Sequence, residues 1–189
     1  MIDSQALAQC VDAVFARAPV IPVLTIERIQ DALPLCRALA DGGLPVLEIT
    51  LRSACALDAI ERIARELPDA CIGAGTVLSP RDLAAAQRAG AQFAISPGAT
   101  EALYAAAADA AIPLIPGIAT AGELMRGLEL GWQRFKFFPA EASGGVAALC
   151  GAIQQQHARL AATVATPAAS QPSQSERAKR SRTSPSTHR

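Results

Sequence analysis

The fold of this chain is decided by the stretch VLEITLR, which occupies residues 46–52. The stretch is mostly apolar, as expected of a parallel strand that is covered on both faces. Because successive side chains of a strand point to opposite faces, Glu48, Thr50 and Arg52 share one face, and the leucines and the isoleucine share the other. The stretch therefore predicts a buried strand with a polar stripe on one side.

Similar segments recur along the chain with a spacing of roughly 20–26 residues, typical of repeated strand–helix units. They lie at residues 20–24, 71–77, 93–96, 113–118 and 134–138. Ala-rich stretches with helical periodicity separate them, and a first helix is predicted at residues 5–16. This alternation predicts an α/β fold of six units, with a parallel sheet and helices outside it.

Several helix ends can be read directly from the sequence. Ser79, Thr100 and Thr120 are suited to cap the amino ends of three helices. Gly42 and Gly90 are suited to follow the carboxyl ends of helices. These signals support the boundaries between the predicted units.

The composition changes after about residue 162. Residues 1–162 form the predicted domain, whereas residues 163–189 are rich in Ser, Thr, Pro and Arg and almost lack large apolar residues. Such a segment cannot bury enough surface to offset its ordering entropy, so we predict a disordered tail. The tail has five basic residues against one acid while the whole chain has no net charge. The domain is thus mildly acidic, which argues against a nucleic-acid partner.

Other classes of protein are disfavoured by the composition. No apolar run is long enough to span a bilayer, and the acidic N-terminus does not resemble a secretory signal. The five cysteines are scattered singly without a C-x-x-C pair, and there are only two histidines. We therefore expect free thiols in a reducing cytoplasm, with no metal site.

Lys136 is the first candidate catalytic residue, because the chain has fifteen arginines but only one other lysine, Lys179 in the tail. It lies within RFKFFP, residues 134–139, on a predicted strand and between aromatic side chains. Removing an ammonium group from water favours its neutral, nucleophilic form. The alternative is a strand-end lysine that extends to solvent or pairs with an acid.

Glu48 is the second candidate, since a carboxylate within an apolar strand is unfavourable unless it is paired or used. It is predicted to transfer protons or to pair with Lys136. Arg52, at the end of the same strand, can hold a carboxylate with its guanidinium group. The alternative is a structural ion pair between Glu48 and Arg52.

Three glycine-containing turns follow predicted strands. In GAGT, residues 73–76, the glycines permit close approach of a ligand and Thr76 can donate a hydrogen bond to a carboxylate. The segment lacks the full G-x-G-x-x-G, so a dinucleotide site is not supported. SPG at 96–98 and IPGI at 115–118 are as consistent with tight loops as with ligand contacts. The polar candidates within these apolar segments, namely Glu48, Arg52, Thr76 and Lys136, lie near the carboxyl ends of predicted strands. Parallel α/β folds bind their ligands at this end of the sheet.

Taken together, five segments resemble the 2-keto-3-deoxy-6-phosphogluconate (KDPG) aldolase family. They are EITLR at 48–52, GAGTV at 73–77, FAISPG at 93–98, PLIPG at 113–117 and FKFFPAE at 135–141. The resemblance runs from about residue 5 to about residue 153. It implies a TIM (β/α)8-barrel fold, a homotrimer, no metal and no cofactor. It also implies a class I aldolase that cleaves KDPG to pyruvate and glyceraldehyde 3-phosphate, and often 4-hydroxy-2-oxoglutarate to pyruvate and glyoxylate.

The same resemblance implies roles for individual residues. Lys136 matches the family's Schiff-base lysine, and Glu48 matches its general acid/base. Arg52 and Thr76 match the positions that hold the pyruvate carboxylate. The pocket wall is matched by Pro97 and Pro116. The implied partner is a small keto acid or sugar-acid phosphate, with no nucleic acid or membrane.

The chain departs from the family after about residue 153. The family continues into two further strands with phosphate-binding loops, whereas this chain reads QQQH at residues 154–157 and then enters the tail. We therefore expect about six of eight β/α units, as in a truncated or frameshifted gene product. Two rival hypotheses remain. One is an inactive aldolase remnant, and the other is a sugar-phosphate isomerase or lyase on a similar barrel, with lysine acting only electrostatically.

Overall fold

The computed structural model describes residues 4–151, in which strands and helices alternate. The helices are α1 Ser4–Phe15, α2 Ile29–Asp41, α3 Ala56–Glu66, α4 Pro80–Arg88, α5 Glu101–Ala108 and α6 Ala121–Glu129. The strands are β1 Val23–Leu24, β2 Val46–Thr50, β3 Cys71–Gly75, β4 Phe93–Ile95, β5 Leu114–Ile115, β6 Gly117–Ile118 and β7 Lys136–Phe137. Residues 145–151 are also helical.

All strand pairs are parallel. The first five strands pair in the order β1-β2-β3-β4-β5, and β6 pairs with β7. Since β5 and β6 flank a single residue, Pro116, they form one interrupted strand. Residues 4–151 thus contain six β/α units of a barrel wall, against the eight of a closed barrel. The predicted α/β architecture is confirmed, and the six predicted units are present among residues 4–151.

The strand boundaries differ from prediction where the backbone cannot continue the ladder. The strand predicted at 113–118 is broken at Pro116, because proline has no N–H to donate. The strand predicted at 71–77 ends at Gly75, since Thr76 has a φ of 59° and leaves the extended conformation. The first strand is shorter than predicted and begins after Pro22.

The predicted helix caps are present. The side chains of Ser79, Thr100 and Thr120 accept hydrogen bonds from backbone N–H groups in the first turns of α4, α5 and α6. Gly42 caps α2, and Gly90 follows the end of α4 with a φ of +90°. These local signals were readable because each depends on one short motif.

Two apolar clusters lie on opposite faces of the strands. The outer cluster packs Leu47 and Ile49 of β2, with their neighbours, against the surrounding helices. The inner cluster joins Val46 and Cys71, the first residues of β2 and β3, to Val11 of α1 and to other apolar side chains. Helix α1 therefore covers the amino ends of the strands and leaves their carboxyl ends for a ligand.

An ion pair ties α1 to the last described strand. Arg134, two residues before β7, donates to both carboxylate oxygens of Asp12 at 2.6 and 2.7 Å. This contact holds the pKa of Asp12 below its ordinary value. Arg17, just after α1, also donates to the carbonyl of Asp69.

The compact unit that contains these elements extends to Leu149, and a second unit begins at Cys150. The predicted domain boundary at residue 162 and the predicted disordered tail, 163–189, lie outside the described residues. All five cysteines are free. Within residues 4–151, no helix has the length and apolar character needed to cross a membrane.

Candidate active site

The centre of the site is a contact between Lys136 and Glu48. The Lys136 Nζ atom lies 3.2 Å from Oε1 and 3.4 Å from Oε2 of Glu48. The Glu48 side chain is only 3% exposed, whereas that of Lys136 is 28% exposed. The buried carboxylate thus has a charged partner, and the amine remains accessible from outside.

Backbone contacts position both residues. Glu48 lies in the middle of β2, where its N–H donates to the carbonyl of Pro22 at 2.9 Å. Lys136 opens β7, and its N–H donates to the carbonyl of Pro116 at 2.9 Å. The Nζ atom also lies 5.3 Å from the centroid of the Phe138 ring, a distance suited to a cation–π contact.

Gly75 provides the room for the Glu48 carboxyl group. It lies opposite Thr50 in the ladder between β2 and β3. A Cβ atom at Gly75 would collide with the carboxyl oxygen Oε1 of Glu48. The glycines of this segment were predicted to permit close approach of a ligand, but Gly75 instead accommodates Glu48, a catalytic candidate of the chain itself.

Arg52 and Thr76 form a second polar pair. Arg52 Nε donates to Thr76 Oγ1 at 3.2 Å, just beyond the carboxyl ends of β2 and β3. Thr76 adopts a left-handed conformation that is uncommon for a β-branched residue. Glu48 pairs with Lys136 rather than with Arg52, so the alternative of a structural Glu48–Arg52 ion pair is wrong.

Pro97 and Pro116 lie on neighbouring segments of the wall. A Cβ atom at Gly117, the β6 partner of Lys136, would collide with the Pro97 carbonyl. The loop after β4 therefore presses directly against β6. Beside Pro97, the hydroxyl of Ser96 is buried and has no hydrogen-bond partner among the described residues.

Thr25 is a site residue that was not predicted from the sequence. Its Oγ1 atom lies 2.8 Å from Oγ1 of Thr50, which in turn donates to the carbonyl of Leu24 at 3.1 Å. Thr50 is fully buried, whereas Thr25 is exposed. A threonine three residues after Pro22, just beyond a short apolar strand, does not by itself indicate this contact, because the contact depends on the register of β1 with β2.

The arrangement offers acid–base and nucleophilic chemistry. A proton can pass between the Lys136 ammonium and the Glu48 carboxylate across 3.2 Å, which would free the amine as a nucleophile. The structure brings these two together, places Pro116 against the Lys136 backbone, and pairs Arg52 with Thr76. The alternative prediction, that Lys136 pairs with an acid, describes this same contact.

Comparison with known proteins gives consistent results. The family model described as "Aldolase: KDPG and KHG aldolase" matches residues 11–163. The match extends about ten residues beyond the end of the resemblance noted in the sequence. The KHG/KDPG aldolase of Escherichia coli strain K12 is 55% identical over 138 residues, which cover 73% of this chain and 65% of that protein. This chain therefore spans just under two thirds of that relative.

Solved structures give the same relationship. The KDPG aldolase of Legionella pneumophila, with pyruvate captured as a covalent carbinolamine, is 51% identical with a TM-score of 0.73, covering 76% of this chain and 69% of that one. The aldolase of Zymomonas mobilis ZM4, crystallised with 3-phosphoglycerate, is 50% identical with a TM-score of 0.75, covering 78% and 70%.

Proposed function

The chain belongs to the KDPG and KHG aldolase family, and from this we propose that it is a class I aldolase. The proposed reaction cleaves KDPG to pyruvate and glyceraldehyde 3-phosphate. The proposed second substrate is 4-hydroxy-2-oxoglutarate, which gives pyruvate and glyoxylate. The observation that carries the proposal is the contact between the accessible amine of Lys136 and the buried carboxylate of Glu48.

Lys136 is the proposed nucleophile. Its amine attacks the C2 carbonyl of the keto acid to give a carbinolamine, and loss of water gives a protonated imine. The carbinolamine captured in the Legionella relative is the kind of adduct that we propose for Lys136. The ring of Phe138, which lies near Nζ, would stabilise the cationic imine by the same cation–π attraction that stabilises the ammonium group.

Glu48 is the proposed general acid/base. It takes the proton from the C4 hydroxyl, directly or through a water, as the C3–C4 bond breaks and its electrons move to the imine nitrogen. The aldehyde leaves and an enamine remains. Protonation of C3 by Glu48 and attack of water on the imine then release pyruvate and restore the amine. The carboxyl oxygens near Nζ support this role.

Arg52 and Thr76 are proposed to hold the carboxylate of the keto acid. Their mutual hydrogen bond leaves the other guanidinium N–H groups of Arg52 for a carboxylate. Pro97 and Pro116 are proposed to form the wall beside the imine, supported by their positions around Gly117 and Lys136.

The oligomeric state and the cellular location of the protein are also proposals. We propose a homotrimer, supported by the exposed apolar side chains of Val20 and Leu78. We also propose a cytoplasmic location, which the five free cysteines favour.

Trapping with borohydride tests the proposed chemistry. Incubation with pyruvate and borohydride should leave one reduced pyruvate on Lys136, found by mass spectrometry of peptides. Lys136→Arg should remove the label, and Lys179→Arg, at the other lysine of the chain, should retain it. Circular dichroism must first show a cooperative melt. Absence of the adduct in folded protein would reject imine chemistry, and an adduct without cleavage of KDPG would favour the inactive-remnant hypothesis.

A further inference from the structure

Thr25 lies in the same layer of the barrel interior as the proposed acid–base group. In the ladder between β1 and β2, Leu24 lies opposite Ile49, and the hydroxyl contact continues this register by placing Thr25 beside Thr50. The Glu48 carboxyl group reaches this level too, because it occupies the space above Gly75, the partner of Thr50. Unlike Thr50, Thr25 is exposed.

The direction of the hydrogen bonds at Thr25 follows from counting protons. A hydroxyl group has one proton, and that of Thr50 goes to the Leu24 carbonyl, which can only accept. The proton between the two threonines must therefore come from Thr25. The Thr25 oxygen is then left with lone pairs and no proton, so any further partner must be a donor.

We propose that Thr25 determines substrate specificity by accepting a hydrogen bond from a hydroxyl group on C5 of the keto acid. In the proposed reaction, Glu48 takes the proton of the C4 hydroxyl. Thr25 offers a hydrogen-bond acceptor in the same layer for a hydroxyl on the next carbon, C5. A carboxylate on C5 has no proton to donate and would face an oxygen lone pair. The site then favours keto acids with a C5 hydroxyl over those with a C5 carboxylate. This inference rests on the proposed aldolase function.

Imine trapping at short times gives the test, with the mass of the label distinguishing the intact ligand from the pyruvate that cleavage leaves on Lys136. The label on Lys136 after borohydride is measured against concentration for three ligands: 2-keto-3-deoxygluconate with a C5 hydroxyl, 4-hydroxy-2-oxoglutarate with a C5 carboxylate, and pyruvate with neither. Thr25→Val keeps the shape and removes the acceptor, and Thr25→Ser restores it. Thr25→Val should raise the half-saturating concentration of 2-keto-3-deoxygluconate about fivefold more than it raises that of pyruvate. In Thr25→Ser, the half-saturating concentration of 2-keto-3-deoxygluconate should stay within about twofold of the value for the parent protein.

The outcomes separate the two proposals. An equal shift for all three ligands, no shift in Thr25→Val, or the same loss in Thr25→Ser would overturn the role of Thr25 while leaving imine chemistry intact. A folded parent protein that pyruvate does not label would overturn the proposed function, and the role of Thr25 with it. Melting curves of both variants confirm that the comparison is made on folded protein.

Discussion

The Nζ atom of Lys136 lies 3.2 Å from Oε1 of Glu48, although 88 positions separate the two residues in sequence. They lie on β7 and β2, with β3, β4 and the interrupted strand β5–β6 between them. A flat sheet would hold strands this far apart well beyond hydrogen-bonding distance. The six described units therefore form a curved wall that brings the side chains of β2 and β7 together.

Replacing Glu48 with glutamine tests the proposed proton transfer. The amide keeps an oxygen acceptor near Lys136 but cannot take up a proton, so we expect kcat for KDPG cleavage to fall about 100-fold or more. Steady-state kinetics measure this. Glu61→Gln, at an exposed glutamate of α3, serves as the matched control and should retain the parent kcat. An unchanged kcat in Glu48→Gln would remove Glu48 from the mechanism.

Gly75→Ala should disturb the site through a single methyl group. The new Cβ would collide with the Glu48 carboxyl group, which must then rotate away from Lys136. Overpacking of this kind typically costs about 1–3 kcal/mol of stability. We expect a lower denaturation midpoint and at least a tenfold lower rate of imine trapping.

Gly98→Ala provides the comparison for Gly75. A Cβ atom at Gly98 would meet nothing within 4 Å. This variant should match the parent protein in both urea denaturation and trapping. Equal behaviour of the two alanine variants would show that the Glu48 carboxyl group does not need the space above Gly75.

Thr76 allows backbone strain and hydroxyl chemistry to be separated. Thr76→Ala and Thr76→Gly both remove the hydroxyl that Arg52 contacts, so both should weaken pyruvate binding, measured by half-saturation of trapping. Only glycine relieves the left-handed conformation, with φ at 59°. We therefore expect the glycine variant to be about 1 kcal/mol more stable than the alanine variant. A more stable alanine variant would contradict the strain argument.

The hydrogen bonds of Glu123 should stabilise the folded protein to an extent that depends on pH. The N–H groups of Ala119 and Thr120 donate to its carboxylate and hold its pKa below the ordinary value of 4.5. A lowered pKa in the folded state stabilises the protein above the unfolded value, and this stability is lost as the pH falls through the folded value. Glu123→Gln should therefore lower Tm at pH 7 but make a shrinking difference below about pH 4.5. A difference in Tm that is constant from pH 7 to pH 3 would contradict the assignment.

The sequence predicted the features that depend on local pattern. The alternation of residues 46–52 correctly placed Glu48 and Thr50 on one face, and the isolation of Lys136 among arginines drew attention to it. These predictions succeed because strand periodicity and composition are local properties. Their proposed catalytic roles remain predictions.

The features that the sequence did not predict depend on register and contact between strands. The pairing of Thr25 with Thr50, and the place of the Glu48 carboxyl group above Gly75, follow from how β1, β2 and β3 align. The break at Pro116 was foreseeable from the missing N–H alone, but the run of apolar residues around it outweighed that signal. Hydrophobic pattern sets which face is buried, and only the assembled sheet sets which side chains meet.

The ion pair between Asp12 and Arg134 has a consequence for how the chain folds during synthesis. A ribosome releases α1 long before it has made residue 134, so this ion pair can form only after Val11 and Arg17 have been able to contact Cys71 and Asp69. Before residues 69–71 are made, the apolar side of α1 and the strand ends that it later covers are both open to other nascent chains and to chaperones. The floor of the proposed active site is therefore among the first parts synthesised, and its ion pair with Arg134 is the last of these contacts to become possible.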